Sequence, residues 1–139
     1  MSLSDRQKQA VRERAGGCCE YCRLAQSGSF ARFHVDHIIA LKHGGTDAGD
    51  NLCLACPACN AYKGENVAAL DPQTSNPTRL YHPRQQTWDD HFELQTDATI
   101  TGLTPEGRTT AAVLRYNDEE RVKQRSDEIA AGDYPCQKE

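Results

Sequence analysis

Two Cys-x-x-Cys pairs, Cys19 with Cys22 and Cys56 with Cys59, constrain this chain more than any other feature. Two thiols separated by two residues can be presented from a single turn, and two such pairs complete a tetrahedral zinc site. Four thiolate ligands leave no open position, so the zinc would be structural. The spacing therefore predicts a zinc site that ties the N-terminal part of the chain to the segment near residue 56.

The other cysteines leave alternatives open. Cys53 and Cys56 form a competing Cys-x-x-Cys register, but Cys53 falls in an apolar run that predicts a strand, so the later pair is favoured. The chain has seven cysteines, and zinc is favoured over disulfides because the N-terminus shows no hydrophobic export signal. We expect Cys18 and Cys53 to be buried as small apolar side chains and Cys136 to lie in a frayed tail.

Composition limits the class of protein. At 139 residues with 6% aromatic content, the chain predicts one small domain with a modest core, or such a domain with an extension. No apolar run reaches the roughly 18–20 residues that cross a bilayer, so we expect a cytoplasmic protein with no membrane partner. Residues 1–64 carry eight Lys and Arg against six Asp and Glu, and residues 65–139 carry eight against fourteen. The charge of +2 on the first half suits a phosphate substrate, and the acidic second half leaves a protein partner open.

Local patterns predict the order of elements. Ser4 and Gln7 fit a capping box that begins an N-terminal helix, and Gly16 ends it. A strand over residues 30–39 follows, or two short strands with a turn near residues 27–29. A Gly-rich loop, a second strand and a helix come next, over residues 40–50, 51–55 and 56–64.

The C-terminal extension, residues 65–139, predicts an α-rich arrangement. Thr104 and Asn117 are the expected caps of its last two helices. Trp88 and Phe92 form an apolar patch, for which the preferred interpretation is packing onto the N-terminal core.

Polar residues enclosed by the cysteine pairs can hold a second metal beside a base. Asp36 is a hard oxygen ligand suited to Mg²⁺ or Mn²⁺, and Asn60 offers a carbonyl oxygen. His37 could deprotonate water near neutral pH, and one base beside one cation suffices for phosphodiester hydrolysis. From spacing alone, a satisfied polar pair and a surface asparagine stay equal alternatives.

Five motifs occur in one order within residues 5–64: Cys19-x-x-Cys22, Asp36-His37-Ile38-Ile39, Gly44-Gly45, Asp50-Asn51-Leu52 and Cys56-x-x-Cys59-Asn60-x-x-Lys63. In this combination the chain resembles the HNH endonuclease family. The resemblance implies an α+β fold: a ββα-metal nuclease core with an N-terminal helix and a structural zinc over residues 1–64. The α-rich extension over residues 65–139 would pack on that core.

The resemblance also implies residue roles. Asp36 and Asn60 would hold the catalytic divalent cation, and His37 would be the general base. Asn51 would fix the loop that joins the two strands and so the orientation of His37. Asn60 stands where many members have a final histidine, so the chain looks like the HNN variant. With one imidazole fewer, we expect Mg²⁺ or Mn²⁺ rather than zinc at that site. The family implies attack by water on DNA that leaves 3′-hydroxyl and 5′-phosphate ends.

Further side chains are candidates for contact with substrate. His34 shares a strand face with Asp36 and could orient it or contact phosphate, while packing at the core edge is an equal alternative. His43, Lys63 and Arg84 are candidate phosphate contacts, for which a solvated surface position is the default interpretation.

The sequence therefore predicts a metal-dependent DNA endonuclease, with RNA left open as a substrate. A homodimer or a protein partner also stays open. The alternative is a catalytically silent, zinc-bound module that binds DNA or protein. Such a module would not need Asp36, His37, Asn51 and Asn60 together, so their joint presence favours the nuclease.

Overall fold

The computed structural model describes residues 3–138 and contains the ββα unit that the sequence predicts. An antiparallel hairpin of β1 (His34–His37) and β2 (Leu52–Ala55) leads into helix α2 (Pro57–Lys63). An N-terminal helix, α1 (Asp5–Ala15), precedes the hairpin. The α+β class of the core is therefore confirmed.

The extension is more mixed than the predicted α-rich arrangement. Its elements are β3 (Ala68–Leu70), β4 (Pro77–Arg79), α3 (Trp88–His91), β5 (Phe92–Leu94), β6 (Ile100–Gly102), α4 (Pro105–Val113) and α5 (Glu119–Ala130). Strands β3 and β4 form one antiparallel hairpin, and β5 and β6 form another. Of these four strands, the sequence predicts only a short one at residues 99–101, near the observed β6. Strands of three residues are too short to show an alternating pattern. Within residues 3–138, no helix combines the length and the apolar character needed to cross a membrane.

Helix α1 begins and ends where the sequence predicts. The Ser4 hydroxyl accepts a hydrogen bond from the Gln7 N–H at 3.1 Å, and the Gln7 side chain accepts one from the Ser4 N–H at 2.7 Å. This confirms the capping box. Gly16 takes the left-handed conformation, with φ of 61°, and ends the helix. Val11 and Ala15 are buried and help pack α1 against the hairpin.

Strand β1 is shorter than the strand predicted over residues 30–39. The Gln26 side chain accepts a hydrogen bond from the Phe33 N–H at 2.7 Å and donates one to the Ala31 carbonyl at 3.0 Å. These bonds occupy backbone groups that a partner strand would otherwise need. The ladder with β2 therefore begins only at His34.

The predicted caps of the last two helices have different outcomes. The Thr104 hydroxyl accepts from the Gly107 N–H at 3.1 Å, which confirms this residue as the cap of α4. The cap predicted at Asn117 is wrong, because the N-cap of α5 is Asp118. The Asn117 amide instead bonds both backbone groups of Ile100, at 2.8 Å each. These two bonds tie strand β6 to the start of α5.

The extension shares one hydrophobic core with the ββα unit. Trp88 Nε1 donates to the Tyr21 carbonyl at 2.8 Å, and the rings of Trp88 and Phe92 lie 4.9 Å apart between centroids. All three residues are buried in the same apolar cluster as Leu54 of β2. Near the C-terminus, the Tyr134 hydroxyl donates to the carbonyl of Cys22 at 2.7 Å. The second half of the chain thus makes two separate hydrogen bonds to the backbone of the first Cys-x-x-Cys turn.

The expectation for the leftover cysteines is wrong for one pair. Cys18 and Cys136 form a disulfide, with their Cα atoms 5.6 Å apart. The segment expected to be a frayed tail instead returns to the first Cys-x-x-Cys turn, where the Cys136 N–H donates to the Arg23 carbonyl at 2.9 Å. The two cysteines are separated by 118 residues, so only the path of the folded chain brings them together. Cys53 is buried, as predicted.

Candidate metal centres and active site

Four buried cysteines converge between the first Cys-x-x-Cys turn and the start of α2. Their ligand atoms, the Sγ atoms of Cys19, Cys22, Cys56 and Cys59, all lie within 4.8 Å of one another. The Cys56 thiol also caps α2, since it accepts from the Cys59 N–H at 3.4 Å. Four soft sulfur donors at this spacing fit a structural zinc. The predicted ligand set is therefore brought together, and we refer to it as the four-cysteine cluster.

Cys53 does not join this cluster. It lies on β2, opposite Asp36 in the strand register. Burial raises the pKa of its thiol to about 12, so the side chain stays protonated at neutral pH. Its Sγ atom is not among the four cysteine sulfurs that converge. The geometry therefore favours the register that uses Cys56 and Cys59 over the competing one.

Arg121 of α5 lies against the four-cysteine cluster, and no local sequence pattern predicted it. Its Nη2 atom lies 3.2 Å from Cys59 Sγ and 3.8 Å from Cys56 Sγ, while Nη1 donates to the Leu114 carbonyl at 2.5 Å. Burial lowers the pKa of Arg121, whereas the neighbouring cysteines together raise it by a larger amount. The net change in its pKa is therefore upward. A zinc held by four thiolates carries net negative charge, which a buried guanidinium offsets.

Asp36 and Lys63 form a buried ion pair next to the backbone of His37. Lys63 Nζ lies 3.1 Å from Asp36 Oδ2 and donates to the His37 carbonyl at 3.1 Å. The solvated position expected for Lys63 is wrong, because its side chain is only 2% exposed. Its ammonium group is placed inside the protein by these two oxygen partners. Burial raises the pKa of Asp36, and Lys63 offsets part of that rise.

One carboxylate oxygen of Asp36 can still accept a ligand. Oδ2 is buried, and its contact with Lys63 has the distance of an ion pair without the direction of a hydrogen bond. Among the described residues, this oxygen has no hydrogen-bond donor, which is an uncommon state for a buried acceptor. Asn60 lies one turn before Lys63 on α2, and therefore on the helix face that meets Asp36. The two predicted oxygen ligands thus come from packed elements, β1 and α2.

His37 is held by a residue that the sequence analysis did not single out. Its Nε2 atom lies 2.8 Å from Asp47 Oδ1, and its side chain is 25% exposed. Asp47 belongs to the loop between β1 and β2. The glycines of that loop predict a turn and give no sign of a role for Asp47. A carboxylate that accepts a hydrogen bond from the N–H of one ring nitrogen fixes the orientation of the imidazole and leaves the other nitrogen as the base.

Asn51 fastens the loop that carries Asp47. Its Nδ2 atom donates to the Thr46 carbonyl at 2.8 Å and to the Ile39 carbonyl at 2.9 Å, and its Oδ1 accepts from the Ile39 N–H at 2.9 Å. Gly45 allows this close approach, because a Cβ atom there would lie 1.8 Å from the Ile39 carbonyl oxygen. Thr46 directly precedes Asp47, so the Asn51 amide fixes the position of the residue that holds the imidazole.

A comparison with protein families agrees with this geometry. Residues 19–66 match the family model described as HNH endonuclease. This segment is an HNH endonuclease-family domain. The match begins at Cys19 and includes both cysteine pairs, the hairpin and α2. The chain has no match among curated proteins and none among solved structures.

The structure leaves two of the other predicted side chains exposed and pairs a third with a carboxylate. His34 is exposed at the start of β1, so packing at the core edge is wrong. His43 is exposed at the end of the 3₁₀ turn Leu41–His43. Arg84 is half-buried and forms an ion pair with Glu20, so its expected solvated position is wrong.

Proposed function

We propose that this chain is a metal-dependent endonuclease that hydrolyses phosphodiester bonds in DNA. The observation that carries the proposal is the 2.8 Å contact between His37 Nε2 and Asp47 within the HNH domain, next to the buried Asp36. A solvent-accessible imidazole that a carboxylate holds in place is the arrangement of a general base. A structural zinc module would not require that arrangement.

His37 would take the proton of the attacking water. When the Nε2–H group donates a hydrogen bond to Asp47, Nδ1 is the basic nitrogen, and the Asp47 carboxylate stabilises the imidazolium that forms. Asn51 acts at one remove, because its amide fixes the loop rather than touching the substrate. We therefore assign His37 the role of base and Asn51 that of a positioning residue.

Asp36 and Asn60 would hold the divalent cation. Oxygen donors favour Mg²⁺ or Mn²⁺, and the Asp36 oxygen that lacks a hydrogen-bond donor fits such a ligand. When bound, the cation would stabilise negative charge on the phosphate and on the leaving oxygen. The ion pair with Lys63 of α2 holds the Asp36 carboxylate on the side of β1 that faces α2 before any cation binds.

The four-cysteine cluster takes no part in this chemistry. We propose that its zinc is structural, because four sulfur ligands leave no open position for water or substrate. Arg121 brings the extension to the same cluster, so both halves of the chain meet there. Exposed His34 and His43 are proposed as weaker contacts with phosphate, and such a contact by Lys63 would require it to leave Asp36.

The proposal is tested by nicking of supercoiled plasmid with Mg²⁺, with Mn²⁺ and with EDTA. We expect cleavage that needs a cation and that is lost in His37→Ala, while the far-ultraviolet circular dichroism and the zinc content stay unchanged. Asp50→Ala is the control, because Asp50 is an exposed acid in the same loop. An active His37→Ala protein would rule out the proposed base.

A second candidate is a zinc-bound module that binds DNA or protein without cleaving it. The acidic composition of residues 65–139, eight Lys and Arg against fourteen Asp and Glu, favours a protein partner for that half. The same plasmid assay separates the two, because the module would bind DNA or a partner and show no cleavage with any cation.

A further inference from the structure

Three cationic side chains share a concavity on the exposed side of α1. The concavity has a volume of about 360 Å³ and is lined by Lys8, Arg12 and Arg32 together with Asp5 and Gln9. Asp5 is the single acidic residue of this lining. Within residues 3–138, none of the three cations forms a salt bridge with a carboxylate. The site therefore keeps a local excess of positive charge.

Neither helix stability nor packing explains why these three cationic side chains lie together. Lys8 and Arg12 are four residues apart on one helix face, a spacing at which like charges destabilise a helix. Burial lowers the pKa of Arg12, and the charge of Arg32 lowers it further. Lys8 and Arg32 are exposed, so packing does not place them there. A bound anion would relieve this repulsion.

The concavity lies close to the His37 site along two paths. The Gln7 amide, next to Lys8, donates to the Asp47 carbonyl at 3.4 Å. Arg12 donates to the Phe33 carbonyl at 2.9 Å, three residues before Asp36 on the same stretch of chain. These two contacts join the helix that carries Lys8 and Arg12 to the segments that carry Asp47 and Asp36.

We propose that the concavity lined by Lys8, Arg12 and Arg32 binds the phosphate backbone of duplex DNA near the phosphate that is cleaved. Its position relative to cleavage rests on the proposed function. Arginine suits this task because its guanidinium makes paired hydrogen bonds with phosphate oxygens. Contacts to backbone phosphates position the duplex and do not read its sequence.

The test measures binding separately from cleavage. Lys8→Gln/Arg32→Gln is made in a His37→Ala background, and its affinity for a short fluorescein-labelled DNA duplex is measured by anisotropy over a range of NaCl concentrations. Arg12 is left unchanged because it also bonds the backbone of Phe33. The control is Lys123→Gln/Lys138→Gln, which removes the same charge from two exposed lysines that do not line the concavity.

We expect the slope of log K against log[NaCl] to become shallower by about 2 in the test variant, with affinity at about 0.1 M salt reduced about 10- to 100-fold. Each single variant should lower the slope by about 1. The control should keep the parent slope. This result supports the DNA-binding site whether or not the wild-type protein cleaves DNA.

Equal slopes for the test variant and its parent would overturn the site, even if the wild-type protein is an active nuclease. The same slope change in test and control variants would also overturn it, since it would report net charge alone. Absence of any binding by the His37→Ala parent has the same consequence. A melting curve of the test variant and of the control variant is the check that each remains folded.

Discussion

The imidazole of His37 and the carboxylate of Asp47 lie 2.8 Å apart, although a loop separates them in the chain. Asn51 closes that loop with three hydrogen bonds to Ile39 and Thr46. The orientation of the His37 imidazole, the proposed base, is therefore set by the loop as well as by strand β1.

Asp47→Asn should lower kcat for DNA cleavage by about 10- to 100-fold, the usual cost of removing a residue that orients an active-site group. An amide can donate to Nε2 and so favours the wrong tautomer of His37. Single-turnover cleavage of a labelled duplex measures the effect, and Asp50→Asn is the matched control in the same loop. Equal rates for the two variants would show that Asp47 does not position the base.

Lys63→Met should lower the free energy of unfolding by about 1–3 kcal/mol, because it leaves a buried carboxylate without its partner. Urea denaturation measures this change, with Lys42→Met as the control in an exposed ion pair. In the double variant Asp36→Asn/Lys63→Met, part of the loss should be recovered. Strictly additive losses would mean that the Asp36–Lys63 pair contributes nothing to stability.

Arg121→Met should release the metal of the four-cysteine cluster more easily, with affinity lower by about 10- to 100-fold. The physical reason is the loss of a buried positive charge 3.2 Å from Cys59 Sγ. Competition with a zinc-binding dye measures the affinity, and Lys123→Met is the control on the same helix. Cys56→Ser should lower both zinc content and melting temperature. Unchanged zinc affinity in Arg121→Met would remove the proposed link between the extension and the zinc site.

The Asp71–Arg108 pair should contribute a pH-dependent part of stability. Arg108 donates to both carboxylate oxygens, at 3.1 and 2.7 Å, and these bonds lower the pKa of Asp71 from 3.8 to about 2. A lowered pKa in the folded state means that the contribution is complete above pH 3.8 and is lost as the pH falls through about 2.

Asp71→Asn should therefore lower the melting temperature at neutral pH and should reduce the fall of that temperature between about pH 4 and pH 2. Scanning calorimetry of wild type and variant over this range measures the difference. Asp118→Asn is the control, because Asp118 and Arg115 form an exposed pair at 3.9 Å. A constant difference in melting temperature at all pH values would contradict the shifted pKa.

Short-range patterns in the sequence predicted the parts of the fold that depend on near neighbours. The capping box of Ser4 and Gln7, the cap at Thr104 and the helix that begins at Pro57 are all present. Each depends on hydrogen bonds within one turn, so the chain needs no distant partner to specify them. The two Cys-x-x-Cys pairs belong to the same class, because each pair occupies one turn.

Contacts between distant parts of the chain decided the rest. The sequence alone predicted the HNH domain and the four cysteines that converge, and both are confirmed. The role of His37 as base was predicted from the family resemblance and stays a prediction. Only the tertiary structure placed Asp47 on His37, Arg121 on the cysteines and Lys63 inside the protein. The residues that adjoin a side chain in the sequence do not determine which distant group its charged end will contact. That position depends on how helices and loops from both halves of the chain pack around one core.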